Sequence, residues 1–328
     1  MKTLSFELHE RQRCDILFGK ENINIFSPES IVVMDSGLNS FFTEVPSEVH
    51  LLPGGEHVKS IDRVFELYQL FRTRNRSLVT AIGGGALIDL VGYSVYTHSQ
   101  VKELFAVPTT CLAQSLLPIH GRFYVNFEFR KDLLAVCGLP GRIYIDPEFS
   151  FSRLQEKGNS ELIPLLLITY SYDEHAFRYL QKLLKKGEEL SYDTWTDILW
   201  LSIKLYTENV KDSPGVIGMG FANIFESVFR LKLEFLNALA FGTVFEAWLG
   251  KIFGVVSEEQ YLLQLVRKFW SRQWPLRLDF SSINEYLGQI EKLELEIPCF
   301  GNIFHEKIGT EEFFKLLRDH GRELERLL

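Results

Sequence analysis

The sequence is poor in cysteine and in positive charge. Its four cysteines (Cys14, Cys111, Cys137 and Cys299) are scattered and form no Cys-x-x-Cys pair, which argues against a zinc ribbon and against a disulfide framework. The formal net charge of -8 argues against a nucleic-acid partner, because a surface that binds the phosphate backbone needs a basic excess to release counterions.

Long apolar runs are also lacking. A membrane span would need about eighteen consecutive apolar residues, and no such stretch is present. The N-terminal residues carry charges throughout and have no continuous apolar core, so they do not resemble a signal peptide. We therefore expect a cytoplasmic protein that crosses no membrane and in which every residue belongs to the folded chain.

Apolar residues are nevertheless abundant. With 328 residues, 46% of them hydrophobic and 24% charged, the chain is expected to bury a large core and to form two domains. Up to about residue 150, short β-rich apolar runs alternate with amphipathic stretches, which is typical of a parallel sheet wrapped by helices. Strands are predicted at residues 31–34, 77–82, 104–108 and 142–146.

A crossover helix is predicted at residues 62–74, where apolar side chains recur at helical spacing. The side chains expected to face the sheet are Val64, Phe65, Leu67, Leu70 and Phe71. From residue 151 to 328 the sequence is rich in Leu, Phe, Glu and Lys and shows few strand signals, which predicts an all-α second domain. Proline and glycine within residues 212–220 predict a loop before a new helix.

A strand that runs into three glycines and then a helix is the most informative local feature. Gly83, Gly84 and Gly85 would let backbone amides approach a pyrophosphate at the positive end of that helix. Tight packing of the turn is the alternative explanation. Asp35 follows another strand, where its carboxylate would accept hydrogen bonds from ribose hydroxyls or simply form a strand-end turn.

Two further segments carry candidate ligand-binding residues. Glu56 and Lys59 lie in a glycine-containing loop just before the crossover helix, where Glu56 is alternatively an ordinary acid of a first helical turn. Thr109 and Thr110 follow the strand at residues 104–108, where their hydroxyls would contact a nicotinamide ribose or cap a helix.

Taken in order, three motifs resemble those of the 3-dehydroquinate synthase family of sugar-phosphate cyclases. They are Gly-Gly-Glu-x-x-Lys at residues 54–59, Gly-Gly-Gly-x-x-x-Asp-x-x-Gly at residues 83–92 and Pro-Thr-Thr-x-Leu-Ala-Gln at residues 108–114. Iron-type alcohol dehydrogenases share the triple glycine, but their threonine motif continues with Gly-Thr-Gly, so the synthase branch is favoured. The resemblance continues through residues 131–140 and weakens after about residue 165.

The resemblance implies an α/β NAD-binding domain at residues 1–150, an all-α metal and substrate domain at residues 151–328, and a homodimer. It also implies a sugar-phosphate-like ligand and the lyase reaction that this family contributes to the shikimate pathway. The NAD site that it implies consists of Asp35, Glu56, Lys59, Gly83, Gly84, Gly85, Asp89, Thr109 and Thr110.

The catalytic half departs from the family pattern, in which one Glu and two His hold zinc. Glu161 stands at the Glu position, but the two metal-binding histidines correspond to Phe221 and Phe241, and a further histidine of the family motif corresponds to Phe225. A phenyl ring has no lone pair for a metal, and a zinc site needs about three protein ligands. Zinc is therefore not expected, and the three rings are predicted to fill the former metal pocket.

Several substrate positions also differ. The family has an acid where this chain has Leu116, an arginine where it has Gln100 and a lysine where it has Pro164. Asn126 matches the family in type. Arg122 replaces a lysine and Asp132 replaces an asparagine, which adds negative charge where an anionic substrate would lie. The remaining catalytic candidates are Arg122, Lys131 and Glu161. We interpret His120 and His175 as surface or capping residues and Cys111 as a small core residue.

Two functional hypotheses follow. The first is a homologue of this family that has lost its zinc ligands, is not a working metal-dependent synthase and still binds NAD. The alternative is an active NAD-dependent 3-dehydroquinate synthase, or another sugar-phosphate cyclase or lyase, with a metal-free site. A misplaced register in the helical half would locate metal ligands elsewhere, but only His175, His305 and His320 follow Glu161.

Overall fold

The computed structural model describes residues 2–9, 12–19, 25–116, 118–185, 189–211, 215–256, 259–269, 280–288 and 292–327. The chain forms two compact units, of which unit 1 comprises residues 1–156 and 189–211 and unit 2 comprises residues 157–188 and 212–328. The segment from 189 to 211 therefore belongs to unit 1, although it follows part of unit 2 in sequence. A boundary between independently folding domains at residue 150 stays a prediction.

Unit 1 is built on a seven-stranded sheet in the order β1-β2-β9-β6-β5-β3-β4. Every neighbouring pair is parallel except the edge pair of β1 and β2. The strands are β1 (Lys2–His9), β2 (Gln12–Phe18), β3 (Ser30–Asp35), β4 (His50–Leu52), β5 (Leu78–Gly83), β6 (Glu103–Pro108) and β9 (Arg142–Ile145). All four predicted strands belong to this sheet, and the predicted fold class is confirmed.

The helices of unit 1 are α1 (Ile61–Arg74), α2 (Gly85–Tyr96), α3 (Cys111–Ser115), α4 (Pro147–Lys157) and α7 (Tyr192–Asn209). Helix α1 is the predicted crossover helix, and Val64, Leu67 and Phe71 on it are fully buried. The prediction was wrong for Phe65, which is 55% exposed. The buried positions are three and four residues apart and form one narrow stripe, and Phe65 lies about 100° away from it around the helix.

An antiparallel hairpin of β7 (Arg122–Phe127) and β8 (Arg130–Cys137) is inserted between β6 and β9. It packs against α2, where Gly92 allows the close approach, because a Cβ atom on this residue would lie 2.2 Å from Cδ1 of Phe123. The turn of the hairpin is strained, since Glu128 and Phe129 both have positive φ angles of 48° and 64°. The hairpin becomes important for the candidate site.

Unit 2 is mainly helical, as predicted. Its helices are α5 (Ile163–Tyr172), α6 (Glu174–Lys185), α8 (Met219–Val228), α9 (Phe235–Ile252), α10 (Glu259–Phe269), α11 (Phe280–Leu287) and α12 (Thr310–Leu327). The predicted loop at residues 212–220 ends where α8 begins, and residues 212–214 lie outside the described residues. Among the described residues, no helix is long and apolar enough to cross a membrane.

Unit 2 also contains a hairpin that the sequence analysis did not predict. It consists of β10 (Lys292–Cys299) and β11 (Asn302–Gly309), joined through Phe300 and Gly301 with positive φ angles of 49° and 80°. The signal was present in β10, where Leu293, Leu295 and Ile297 are buried and alternate with acidic residues. That period of two is the pattern of a half-buried strand.

Candidate functional site

The carboxyl ends of β3, β5 and β6 bring three of the predicted segments together. The backbone N–H of Thr109 donates to the Gly83 carbonyl at 3.0 Å. A Cβ atom on Gly83 would lie 3.3 Å from Cβ of Asp35, and one on Gly54 would lie 2.5 Å from its Oδ2 atom. Ligands of open α/β sheets bind in the crevice at this end of the strands. Asp35 also accepts a hydrogen bond from the Gly37 N–H at 2.9 Å, so the alternative role as a turn residue is real.

Helix α2 begins at this crevice with an open N-terminus. Gly84 is its N-cap residue, and no side chain caps the helix there. A Cβ atom on Gly84 would approach only the Thr110 side chain, at 3.3 Å from its methyl carbon. The first amides of a helix have no intrahelical partner and face an anion together with the positive end of the dipole. Gly83, Gly84 and Gly85 therefore fit a dinucleotide pyrophosphate.

The two threonines have different roles in the fold. Thr110 caps α3, because its Oγ1 atom accepts a hydrogen bond from the Ala113 N–H at 3.2 Å. Thr109 is buried, and Cys111 behind it is fully buried, as expected of a small core residue. The Thr110 side chain therefore caps a helix, which was one of the two roles expected for it. Contact of either threonine hydroxyl with a nicotinamide ribose stays a prediction.

Behind this crevice lies a buried cluster of charges centred on Lys59. The Lys59 Nζ atom lies 2.5 Å from Asp132 Oδ1, 2.8 Å from Asp89 Oδ2 and 3.5 Å from Glu56 Oε1. Glu56 Oε1 in turn lies 2.8 Å from the Nζ atom of Lys131. Lys59 and Asp89 are 2% and 4% exposed, so the pair between them is enclosed by protein. The sequence analysis treated three of these residues as cofactor ligands without predicting any contact between them. In the structure Lys59 contacts both Glu56 and Asp89, so the three form a single network.

The pKa values of the cluster follow from burial and from the opposed charges. Burial raises the pKa of Glu56, but the attraction of Lys59 and Lys131 outweighs it and lowers that pKa to about 2. Burial also dominates at Asp89 and, with the negative charge of Asp132, raises its pKa to about 7. The carboxylates raise the pKa of Lys59 well above its usual value, against the effect of burial. Lys59 is therefore charged at neutral pH.

Asn126 connects the β7–β8 hairpin to this cluster. Its backbone N–H donates to the Lys59 carbonyl at 2.9 Å, and its Nδ2 atom donates to Glu56 Oε1 at 2.8 Å. Its Oδ1 atom accepts from the backbone N–H of Asp132 at 2.9 Å. Two of these hydrogen bonds thus fix the hairpin to the loop that precedes α1, and the third connects the two strands of the hairpin.

His120 and Tyr124 are site residues that the sequence analysis missed. The His120 Nε2 atom lies 3.3 Å from the Tyr124 hydroxyl, and burial together with repulsion from Arg122 lowers the pKa of His120 to about 4. His120 is therefore a neutral, largely enclosed group and not the surface or capping residue that was predicted. The alternation of Arg122, Tyr124 and Asn126 along β7 was the available signal, because alternate residues share one face of a strand.

In unit 2, the three phenylalanines that the sequence analysis set against histidines of the family form one buried cluster. Phe221 and Phe225 on α8 and Phe241 on α9 are all at most 1% exposed. The ring centroids of Phe225 and Phe241 are 6.1 Å apart, as are those of Phe221 and Phe225. Phe245, which the sequence analysis did not single out, stacks on Phe221 at 5.2 Å and contacts Phe225 at 5.0 Å. The predicted burial of the three rings is confirmed.

Helices α8 and α9 cross at very short distance. A Cβ atom on Gly242 would lie 2.0 Å from the Gly218 carbonyl oxygen, so only glycine fits. The Glu246 carboxylate, buried on α9, accepts hydrogen bonds from the backbone N–H groups of Gly218 and Phe221, the latter at 3.1 Å. Its carboxyl group therefore caps the N-terminus of α8 from the neighbouring helix.

Comparison with known proteins shows similarity to the 3-dehydroquinate synthases. A family model described as the N-terminal part of 3-dehydroquinate synthase matches residues 49–159. The 3-dehydroquinate synthase of Helicobacter hepaticus is 27% identical over 227 residues, which cover 65% of this chain and 63% of that protein. That of Streptococcus pyogenes is 23% identical over 296 residues, covering 87% of this chain and 80% of that protein. This chain is 3-dehydroquinate synthase-like. It spans slightly less than two thirds of the length of the Helicobacter relative.

Solved structures agree with the fold of this synthase-like chain. A 2-deoxy-scyllo-inosose synthase complexed with carbaglucose-6-phosphate, NAD+ and Co2+ has a TM-score of 0.78 at 17% identity and covers 97% of this chain and 99% of its own. The 2-epi-5-epi-valiolone synthase of Streptomyces hygroscopicus, with NAD+ and Zn2+ bound, has a TM-score of 0.74 at 15% identity and covers 96% and 98%. An iron-containing alcohol dehydrogenase of Corynebacterium glutamicum has a lower TM-score of 0.59.

The donor set of the synthase-like chain does not fit a catalytic metal. Glu161 is buried, but Phe221 and Phe241 offer no lone pair. Within the described part of the chain, no group of three or more His, Cys, Asp or Glu side chains is placed to hold a metal ion. Because zinc sites need about three protein ligands, no catalytic step is assigned to a metal here. The expectation that the chain takes up no zinc stays a prediction.

Glu246 predicts a measurable dependence of stability on pH. Burial raises its pKa from an ordinary 4.5 to about 8, although the backbone N–H groups of Gly218, Phe221 and Gly220 lower it. The folded state therefore binds this proton more tightly than the unfolded chain does. The contribution of this group to the free energy of unfolding is lost as pH rises from about 4.5 to about 8. Glu246→Gln removes that titration, so its free energy of unfolding should rise relative to the original protein over this range.

Urea unfolding monitored by circular dichroism at several pH values measures this difference. Glu311→Gln, on the exposed first turn of α12, is the matched control. Its free energy of unfolding should differ from that of the original protein by the same amount at every pH in this range. A constant difference for Glu246→Gln as well would contradict the prediction.

Proposed function

We propose that this synthase-like chain binds NAD in unit 1 and does not catalyse the zinc-dependent synthase reaction. The observation that carries the proposal is the buried ring cluster of Phe221, Phe225 and Phe241, in which Phe221 and Phe241 stand where the resemblance places metal-ligating histidines. Burial of each ring stabilises the fold by about 1.5–3 kcal/mol, which a hydrated metal in the same place would forfeit. The missing lone pairs and the volume filled by the rings both support a site without zinc.

NAD binding is supported by the crevice in unit 1 and by the NAD+ present in the two cyclase structures described above. In the proposed arrangement Asp35 accepts hydrogen bonds from the adenosine ribose, Gly83, Gly84 and Gly85 surround the pyrophosphate, and Thr109 and Thr110 lie near the nicotinamide ribose. When bound, NAD would supply hydride transfer. Glu56, Lys59 and Asp89 would support the loop beside the cofactor.

A sugar-phosphate-like ligand is the second proposed partner. Arg122 is exposed on the hairpin face that also carries Tyr124, and its guanidinium is suited to a phosphate or carboxylate. Lys131 and Glu161 are less accessible, at 5% side-chain exposure for Lys131 and 2% exposure for Glu161. The alternative, an active cyclase or lyase with a metal-free site, rests on the buried charged cluster around Lys59. Cytoplasmic localisation is part of the proposal.

Gly84→Asp tests the cofactor site. An aspartate is a good N-cap residue, so the variant should fold, but its carboxylate would occupy the helix terminus and repel a pyrophosphate. We expect calorimetric titration to detect NAD binding by the original protein and a loss of at least about tenfold in affinity for the variant, equivalent to about 1.4 kcal/mol.

Gly84→Asn is the matched control, because it caps the helix with the same shape and no charge, and it should lose less affinity. Equal affinity in all three proteins would show that NAD does not bind at this helix. No heat and no thermal shift at millimolar NAD would reject cofactor binding altogether.

Metal content and turnover test the second part of the proposal. Elemental analysis of the purified protein should find no stoichiometric zinc, and cyclisation of the seven-carbon phosphate substrate should be undetectable with NAD and added zinc or cobalt. An intact 3-dehydroquinate synthase, assayed in parallel, controls for the substrate and the metal. Turnover under these conditions would establish the alternative of an active enzyme.

We also propose a homodimer, in line with the resemblance to the family. Unit 1 exposes the large apolar side chains of Phe65, Phe127 and Phe129 at 55%, 41% and 62%, which a partner subunit would cover. Light scattering at micromolar concentration should give a mass near twice the 38.0 kDa of one chain. A monomeric mass would remove this part of the proposal.

A further inference from the structure

The ammonium group of Lys59 is saturated by the protein itself. Three carboxylates surround it, with two hydrogen bonds to Asp132 and Asp89 at 2.5 and 2.8 Å and an ion pair with Glu56 at 3.5 Å. An ammonium group has three N–H donors and can make no more than three such contacts. Lys59 in this arrangement therefore has no donor left for a ligand.

Asp132 is the unusual member of the three. It comes from the β7–β8 hairpin, 73 residues after Lys59, and its side chain is 17% exposed, like that of Glu56, whereas that of Asp89 is 6% exposed. Its φ angle is 55°, in the left-handed region that non-glycine residues adopt at a conformational cost. Its backbone N–H is held by Asn126. A strained residue on the solvent side thus places its carboxylate against a buried ammonium.

The cluster holds one carboxylate more than its two ammonium groups balance. Two ammonium groups, Lys59 and Lys131, face three carboxylates, Glu56, Asp89 and Asp132. Two carboxylates would balance the two ammonium groups. Asp89 responds to the excess, since burial and the charge of Asp132 raise its pKa. A third carboxylate is therefore not required for neutrality, and the family resemblance places a neutral asparagine at the position of Asp132.

We propose that the Asp132 carboxylate is an internal ligand that occupies an anion-binding position beside Lys59 and excludes an anionic group of a bound molecule from it. The site then selects a ligand that is uncharged where it approaches this lysine. The inference rests on the proposed function in one respect, namely that a ligand enters the crevice of unit 1. The occupied position itself follows from the contacts of Lys59.

Removal of the side chain should turn this position into a site for a small anion from solution. Asp132→Gly suits the backbone, because glycine adopts a φ angle of 55° without strain, and it removes the carboxylate and its volume. Formate and inorganic phosphate are the probes, each titrated at constant ionic strength against chloride with thermal unfolding as the measurement. Formate tests a carboxylate-sized position, and phosphate tests whether a larger anion is also accepted.

Glu128→Gly is the matched control. It removes one carboxylate from the same hairpin, also at a positive φ angle, 48°, but from an exposed position at the turn. Asp132→Asn is the second control, since it removes the charge and keeps the volume. We expect a saturable rise of the unfolding temperature of Asp132→Gly, with apparent affinity for at least one anion at least tenfold tighter than in the original protein and both controls.

An equal response in all four proteins would overturn the proposal. Failure of Asp132→Gly to fold both without and with formate would also overturn it, because a carboxylate from solution would then be unable to replace the side chain. Folding that depends on formate would support it. NAD is titrated separately, so a failure of cofactor binding is distinguishable from the anion result.

Discussion

A lysine removed from water needs negative charges around it, and much of unit 1 depends on how this need is met at Lys59. The side chain is 2% exposed, so the cost of burying an unpaired ammonium would be prohibitive. The partners come from three separate segments: Glu56 from the loop before α1, Asp89 from α2 and Asp132 from the hairpin. One charge thus connects the loop, helix and hairpin that border the candidate crevice.

The strand, turn and helix of the glycine motif were predictable because their signals are local. Residues 77–82 form a continuous apolar run and the glycines follow it directly, so the sequence alone locates the turn. The contact of Lys59 with Asp132 was not predictable in the same way. It depends on the register of a hairpin 73 residues away and on a backbone conformation that aspartate adopts rarely.

In unit 2 the sequence predicted which rings would meet but not what holds the helices together. Phe221 and Phe225 are four residues apart, so helical geometry places them on one face. Glu246 lies outside the motifs that guided the sequence analysis, and its role appears only when α9 crosses the start of α8. Gly218 and Gly242 permit this crossing, since their backbones approach where a side chain would collide.

The crossing of α8 and α9 has a consequence for recognition. The first turn of α8 is fixed to α9 by backbone contact at Gly242 and by two hydrogen bonds to one carboxylate. A helix restrained in this way cannot rotate about its axis without exposing those amides or breaking the glycine contact. The conformational entropy of this region is lost when the chain folds and not when a partner arrives. Unit 2 is therefore preformed at this crossing, and binding of a molecule there would require no further ordering of the first turn of α8.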